Sequence, residues 1–188
     1  MIPGELPLFR AINRGPEAWA PVMRWFSTAT DAGWFKIALG ILVLGMIVRG
    51  GKARPAAILS LVAFPIANFV TDLFKKGYPG HRPFQVIEEV IVRTGRSDSM
   101  GTASAHSANM AAIAVVMTGL LGWRWGAAWI VVAFLTGYSR VYNGVHWPSQ
   151  VTLGWIVGTL VGLGAVWVYR RVMEKRGVKN EGDAQTEA

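Results

Sequence analysis

The chain of 188 residues contains no cysteine and little charge. Without cysteine it has no disulfide, no thiolate metal site and no cysteine nucleophile. Charged residues make up 16% of the sequence, against about 25% in average soluble domains, so the chain lacks the charge that covers a water-facing surface. No carboxylate occurs between Asp98 and Glu174, so this stretch offers no carboxylate cage for a metal ion. Intrinsic disorder is excluded for most of the length because 52% of the residues are hydrophobic.

Long apolar runs dominate what is present, together with nine tryptophans and a formal net charge of +8. The positive charge alone suits a nucleic-acid partner, but the apolar runs and tryptophans do not fit a soluble nucleic-acid binder. A helix needs about 20 mostly apolar residues to cross a bilayer. We therefore predict an all-α membrane protein of about five transmembrane helices. The five apolar segments are 33–48, 55–74, 105–121, 126–138 and 151–168.

The two ends of the chain differ from this apolar middle. Residues 6–28 mix apolar side chains with arginines, which favours an amphipathic helix lying in the membrane interface over a mobile tail. The last residues are polar, so we divide the chain into a membrane domain, residues 1–170, and a disordered cytoplasmic tail, residues 171–188.

The fifth apolar segment carries glycines at the spacing of small residues in packed membrane helices. This spacing permits close helix packing inside one chain or between chains, so the oligomeric state stays open. These glycines are Gly154, Gly158, Gly162 and Gly164.

Basic residues indicate how the helices are oriented. The loops after the first and third segments and the residues after the fifth are basic, and the positive-inside tendency places them in the cytoplasm. The outer face then still holds many cations, and an anionic ligand would explain why they are there. These outer cations are Lys75, Lys76, Arg82, Arg93, Arg96 and Arg140.

Three separate segments bring histidines and cations to this outer face at defined spacings. In residues 75–83, six residues separate a lysine from Arg-Pro, and residues 101–106 read Gly-Thr-Ala-Ser-Ala-His. In residues 139–146, five residues separate Ser-Arg from a histidine. Arginine binds phosphate bidentately, lysine supplies a compact charge, and histidine attacks phosphorus or passes a proton near neutral pH. The pattern predicts a site for a multiply charged anion.

In this order and placement, the three segments resemble the type 2 phosphatidic acid phosphatase (PAP2) family of membrane lipid phosphatases. The resemblance covers about residues 6–170. It implies a site at the outer face of a bacterial-type inner or plasma membrane, capped by the loop 75–103, with the C-terminus in the cytoplasm. It also implies hydrolysis of a phosphomonoester or diphosphate of a membrane lipid, without a metal or any other cofactor.

The resemblance further implies a role for each matching residue. His146 would attack phosphorus and form a phosphohistidine that water hydrolyses, while His106 would protonate the leaving oxygen and then activate that water. Cationic side chains, one hydroxyl and the backbone N–H groups at the start of the third helix would hold the phosphate oxygens. These phosphate-binding residues are Lys75, Arg82, Ser104, Ala105 and Arg140.

The chain departs from the family pattern at two places. The second motif has Ala103 and Ala105 where the family usually has proline and glycine, and the larger departure is Gln150. Four residues after the nucleophile the family has an aspartate, whereas this chain has Gln150. The glutamine oxygen can still accept a hydrogen bond from the second ring nitrogen of His146 and orient it, but it brings no charge to stabilise the imidazolium. Two alternatives therefore stay open: a catalytically impaired relative that binds phospholipid headgroups, and a lipid phosphotransferase.

The expected partners are the bilayer and a phospholipid or polyprenyl phosphate substrate, with no nucleic acid. Undecaprenyl diphosphate, phosphatidic acid, phosphatidylglycerol phosphate and a lipid A phosphate all suit the pattern, and the sequence does not select among them. Outside the motifs, we interpret Arg93 and Arg96 as solvated rather than bound to a headgroup. Asp72 is interpreted as the partner of Lys75 or Lys76.

Overall fold

The computed structural model describes residues 2–96 and 99–177, and all regular secondary structure in these two ranges is helical. This agrees with the predicted fold class. Short 3₁₀ turns at Glu17–Trp19 and Ala29–Asp31 separate the first helices. In chain order the α-helices are α1 (Glu5–Asn13), α2 (Ala20–Thr28), α3 (Gly33–Arg49), α4 (Ala53–Gly77), α5 (Pro83–Val86), α6 (Ala105–Leu121), α7 (Trp123–Tyr142) and α8 (Pro148–Lys175).

A helix occupies each of the five predicted apolar segments, as α3, α4, α6, α7 and α8. By length and apolar composition, two described helices suffice to cross a membrane: α4 with 25 residues and α8 with 28. A third membrane span is added if residues 17–28 and α3, which are bent relative to each other, count together as one span. Helix α6 is apolar but shorter than these spans. Helix geometry therefore confirms the all-helical, apolar architecture and supports two to three spans.

The centre of the fold is α6, which packs against α4, α7 and α8. Contact with α8 is close because glycines of α8 face the backbone of α6. A methyl group at Gly154 or Gly158 would overlap the carbonyl oxygen of Ser104 or Ala108, and one at Gly162 would lie 2.7 Å from Cβ of Val115. The glycine spacing therefore serves packing inside this chain.

The N-terminal segment forms two short helices rather than one, because Gly15 and Pro16 interrupt the helical pattern. Both helices pack on the rest of the chain. Phe9 is 1% exposed, and its ring lies 4.9 Å from the ring of Trp147. The side-chain amide of Asn13 donates to the carbonyl oxygen of Tyr142. Helix α1 thus contacts the end of α7 and the turn that begins α8, and α2 packs against α7.

At the other end, α8 continues through Lys175, five residues beyond the predicted end of the membrane domain at residue 170. The predicted tail therefore begins inside this helix. Residues 178–188, which make up most of that tail, lie outside the described part of the chain.

Candidate active site

A cavity of about 310 Å³ lies where α2, α4, α6 and α7 end or begin, next to the loop after α4 and the turn before α8. Six of the sequence-predicted site residues line it, although they come from three distant segments. The remaining lining residues come from α2 and the loop. The lining residues are Ser27, Thr28, Lys75, Arg82, Thr94, Gly95, Arg96, Ser99, Ala105, His106, Arg140 and His146.

His146 sits in the turn between α7 and α8 and is 2% exposed. Its Nδ1 lies 2.9 Å from Oε1 of Gln150, which also accepts from the backbone N–H of Trp147 at 3.2 Å. The side-chain nitrogen of Gln150 donates to the carbonyl oxygen of His81 at 3.0 Å. Because these bonds fix which end of the amide is oxygen, Nδ1 of His146 is the protonated nitrogen. Nε2 therefore carries the lone pair.

Gln150 occupies this position for a local reason. It is the third residue of α8, and its side chain reaches back to the N–H of Trp147, the residue that caps the helix. A glutamine or glutamate at this position satisfies an N–H that the helix itself leaves without a partner. Helix capping and orientation of His146 therefore use the same oxygen atom.

The pKa of His146 lies well below its usual value. Burial of the ring is the main cause, followed by the positive charges of Arg140 and Arg82. The imidazole is consequently neutral near pH 7, which is the form that has a free lone pair on Nε2.

Arg82 is buried and held from two sides. Its Nε and Nη2 donate to the backbone and side-chain oxygens of Ser99 at 2.7 and 2.8 Å. Its Nη1 donates to the carbonyl oxygen of Val145 at 3.1 Å and lies 3.4 Å from Nε2 of His146. Space for this arrangement depends on Gly101, where a Cβ would lie 2.8 Å from Cγ of Arg82. The guanidinium is therefore fixed beside the nitrogen that carries the lone pair.

Arg140, near the end of α7, is positioned by the N-terminal segment. Its Nη1 donates to both the backbone oxygen and the hydroxyl of Ser27, at 3.0 and 2.6 Å. Ser27 is 1% exposed and lies at the end of α2. The sequence predicted neither Ser27 nor Thr28 as a residue of the site, although both line the cavity. No local spacing connects them to a segment 113 residues away, so the sequence carries no signal for this contact.

Lys75 lies in the last turn of α4 and is paired with Asp72, Nζ to Oδ1 2.8 Å. The other oxygen of Asp72 accepts from the side chain of Asn68 at 3.3 Å. This agrees with the interpretation of Asp72 as a partner of a neighbouring lysine. The Lys75 side chain is 16% exposed and still reaches the cavity wall.

The start of α6 contributes two residues to the cavity, Ala105 and His106. The predicted hydroxyl donor, Ser104, lies behind them and is fully buried. Its oxygen accepts from the hydroxyl of Ser107 at 2.9 Å and from the backbone N–H of that residue at 3.4 Å, so it caps the helix. The backbone N–H of Ser104 donates to the backbone carbonyl oxygen of Gln150 at 2.9 Å. Among the described residues, Ser104 therefore supports the wall and is not part of it.

One interpretation of the loop is wrong. The Arg93 side chain, expected to be solvated, is only 5% exposed. It donates to the carbonyl oxygens of Asn13 and Tyr142 at 2.9 and 2.8 Å. Arg96 is exposed but lines the cavity. Of these two loop arginines, Arg93 is therefore buried and holds the fold together, whereas Arg96 lines the cavity.

Comparison with known proteins identifies relatives of this fold. A family model described as the PAP2 superfamily matches residues 56–174. An undecaprenyl-diphosphatase from Sulfolobus acidocaldarius is 27% identical over 130 residues, which cover 68% of this chain and 62% of that protein. A lipid A 4'-phosphatase from Bacteroides thetaiotaomicron is 32% identical over 118 residues, covering 62% of this chain and 51% of that protein. The chain thus spans less than two thirds of the length of these curated relatives.

A crystal structure has a similar overall shape. LpxE from Aquifex aeolicus superposes with a TM-score of 0.68 and is 25% identical, covering 86% of this chain and 93% of that one. The agreement extends beyond the matched family region, because 86% of this chain includes residues on one or both sides of 56–174.

Proposed function

Since the chain belongs to the PAP2 superfamily, we propose that it is an integral-membrane lipid phosphatase that works through a phosphohistidine on His146. The observation that carries the proposal is the orientation of one imidazole ring. Nδ1 of His146 is bound by Gln150, and Nε2 is left beside Arg82 in a cavity that positive side chains line. A neutral, oriented histidine facing a phosphate site is suited to nucleophilic attack on phosphorus.

The reaction has two steps. In the first, Nε2 of His146 forms a bond to phosphorus while the bond from phosphorus to the lipid oxygen breaks, and His106 gives that oxygen a proton. In the second, water attacks phosphorus, His106 takes its proton, and the nitrogen–phosphorus bond breaks to release inorganic phosphate. Both histidines line the same cavity from different elements, as in-line transfer requires.

Positive charge around the cavity supports the transition state. Arg82 and Arg140 present guanidinium groups whose orientation is already fixed, so little reorganisation is needed when negative charge develops. Lys75 adds a compact charge, and Ala105 and His106 lie in the first turn of α6, where backbone N–H groups lack helical partners. No cofactor is assigned to the reaction.

The proposal includes an arrangement in the membrane. Helices α3, α4, α6, α7 and α8 cross the bilayer, α1 and α2 lie at the interface, and the site faces the outside of a bacterial-type plasma membrane. The support is that the loop after α4 and the turn before α8 meet at one end of the helices, whereas the basic loops lie at the other. The substrate is a phosphorylated membrane lipid, as the names of the relatives suggest.

One feature favours a second candidate function, a slow or inactive headgroup-binding protein. Gln150 orients His146 without supplying the negative charge that would stabilise an imidazolium. Phosphate binding does not depend on that charge, because the cationic groups are held by other partners. A protein of this kind would bind lipid phosphates and release little phosphate.

Phosphate release by the purified protein in detergent, with EDTA present, distinguishes the two. We expect turnover on at least one lipid phosphate, and its loss in His146→Ala. His81→Ala is the matched control, because that side chain is exposed and its backbone oxygen, which anchors Gln150, is retained. Turnover that persists in His146→Ala would overturn the mechanism, and binding without any turnover would support the headgroup-binding alternative.

A further inference from the structure

The loop between α5 and α6 contributes three consecutive residues to the cavity wall: Thr94, Gly95 and Arg96. None of them belongs to the three sequence motifs that define the phosphate site. We refer to these residues, 94–96, as the loop wall. Its chemistry is a hydroxyl, an open stretch of backbone and a guanidinium. Three consecutive residues of this kind on one cavity need an explanation beyond loop geometry.

The loop wall is held in place by the residue before it. The backbone N–H of Arg93 donates to the carbonyl oxygen of Asn143 at 3.2 Å, and its guanidinium lies 4.3 Å from the centre of the Tyr142 ring. The same guanidinium donates to the carbonyl oxygen of Asn13 and forms an ion pair with Glu17 at 3.0 Å. Buried arginines with this many partners fix the backbone around them. The loop wall is therefore presented to the cavity by an anchored segment.

One polar atom of the loop wall lacks a partner, and one position of its backbone is open. The hydroxyl oxygen of Thr94 is buried and has no hydrogen-bond partner within the described residues. A buried polar group in this state is uncommon because losing its bond to water costs free energy. A Cβ at Gly95 would meet no atom within 4 Å, so the wall is open at that point. That hydroxyl oxygen is enclosed by protein, so the part of the loop wall that is open to a ligand is the backbone at Gly95 and the side chain of Arg96.

Charge leads to the same conclusion. The cavity is lined by four cationic side chains, and among the described residues no carboxylate lines it. One phosphate monoester carries about −1.5 to −2 charges near pH 7, which the three motif cations already match. Arg96 is therefore surplus for a single phosphate. The four cations are Lys75, Arg82, Arg96 and Arg140.

We propose that the loop wall, residues 94–96, binds a second phosphate group next to the one that is cleaved, and that the substrate is a lipid diphosphate. This deepens the proposed function and rests on it. Arg82 is 4% exposed whereas Arg96 is exposed, so the terminal phosphate lies deep, beside His146, and the inner phosphate lies nearer the cavity mouth with the lipid. Arginine can hold the inner phosphate bidentately.

The chemistry balances with this placement. Nε2 of His146 bonds to the terminal phosphorus, the bond from that phosphorus to the bridging oxygen breaks, and His106 protonates the bridging oxygen. The lipid leaves as its monophosphate, still bound by Arg96. Water then releases inorganic phosphate from His146.

The first test compares a polyprenyl diphosphate with the monophosphate of the same chain length. Arg96→Ala lowers the ratio of kcat/KM for the diphosphate to that for the monophosphate by about tenfold, the loss expected for one charge-assisted contact. Lys76→Ala is the matched control, since that lysine is exposed and does not line the cavity. An unchanged ratio in Arg96→Ala, or an equal fall in Lys76→Ala, would overturn the proposal.

The second test needs no turnover. Inorganic diphosphate raises the Tm of the detergent-purified protein more than inorganic phosphate at equal concentration, and Arg96→Ala removes this difference. Equal shifts for the two anions in the unmutated protein would contradict the second phosphate subsite. Diphosphate binding without lipid turnover would instead contradict the proposed phosphatase function and support the subsite. Turnover with an unaltered substrate ratio in Arg96→Ala would contradict the subsite and leave the phosphatase function standing.

Discussion

A single amide side chain connects three parts of the site. The oxygen of Gln150 accepts from His146 and from the N–H that begins α8, and its nitrogen donates to the carbonyl oxygen of His81, next to Arg82. A carboxylate has no donor for that carbonyl oxygen. The glutamine therefore holds the loop that carries Arg82 against the nucleophile, which an aspartate or glutamate would do less well.

This leads to a prediction for Gln150→Glu, which keeps the length of the side chain and adds a charge. His146 must be neutral to attack, so kcat/KM is present above its pKa and lost as the pH falls through it. A carboxylate beside Nδ1 favours the imidazolium and raises the pKa of His146. We expect the acidic limb of the pH profile of kcat/KM to move to higher pH.

The same substrate is used for both proteins, so that its own titration cancels in the comparison. Glu174→Gln, at the far end of α8, is the control for a changed carboxylate or amide group on this chain. Glu5 is avoided as a control because its side chain contacts the start of α8. An acidic limb that stays where it is in Gln150→Glu would show that the titration of His146 does not control activity.

At the scale of helices, the site is built on the contact between α6 and α8. Gly158 brings the two backbones together. At the start of the two helices, the backbone N–H of Ser104 in front of α6 donates to the backbone carbonyl oxygen of Gln150 in α8. The contact therefore sets the distance between His106 on one helix and the turn that holds His146 on the other.

Gly158→Ala tests this contact. The added methyl would overlap the carbonyl oxygen of Ala108, which as backbone cannot rotate away, so the helices must separate. We expect a loss of about 1–3 kcal/mol in thermal unfolding in detergent, together with reduced turnover. Gly164→Ala on the same helix is the matched control, because a methyl there meets no atom within 4 Å and alanine favours a helix. Equal stability of the two variants would argue against close packing at Gly158.

The N-terminal helices form a second element of the site, and they lie outside the family-matched residues 56–174. Ser27 on α2 holds the guanidinium of Arg140. In Ser27→Ala the backbone oxygen remains and the hydroxyl is lost, a change of about 1 kcal/mol for one hydrogen bond. We expect kcat/KM to fall about three- to tenfold, because Arg140 holds the phosphate oxygens and stabilises the charge that develops in the transition state.

Steady-state kinetics on one lipid phosphate measures this effect. Thr152→Ala is the control, since it also removes a hydroxyl, one that is exposed and bonds within α8. If Ser27→Ala leaves kcat/KM as it is, α2 is only a structural support for α7.

At the scale of the molecule, the sequence allowed the prediction of the helical class, the positions of the apolar helices and the convergence of three distant motifs. Periodicity and hydropathy are local properties, and the motif spacings carry the site residues. Contacts between distant segments were not predictable in this way. Arg93 is buried only because carbonyl oxygens of Asn13 and Tyr142 converge on it, and Ser27 meets Arg140 only through tertiary packing.

The absence of cysteine makes the orientation of the whole molecule testable. Single cysteines are introduced at Tyr78, which is 75% exposed beside the site, and at Lys52, which is exposed in the short loop between α3 and α4. We expect a membrane-impermeant maleimide to label Tyr78→Cys in intact cells and Lys52→Cys only after permeabilisation. The reverse pattern would place the site on the cytoplasmic side.

In the proposed mechanism phosphorus becomes bonded to His146, and the most direct measurement is to trap that bond. The purified protein is mixed with a lipid diphosphate, quenched in alkali within the first turnover, digested and analysed by mass spectrometry. The phosphohistidine mechanism predicts a phosphoryl group on the histidine of the peptide that contains His146, lost on acid treatment and absent from His146→Ala. Turnover without this adduct, or a phosphoryl group on another residue, would contradict it.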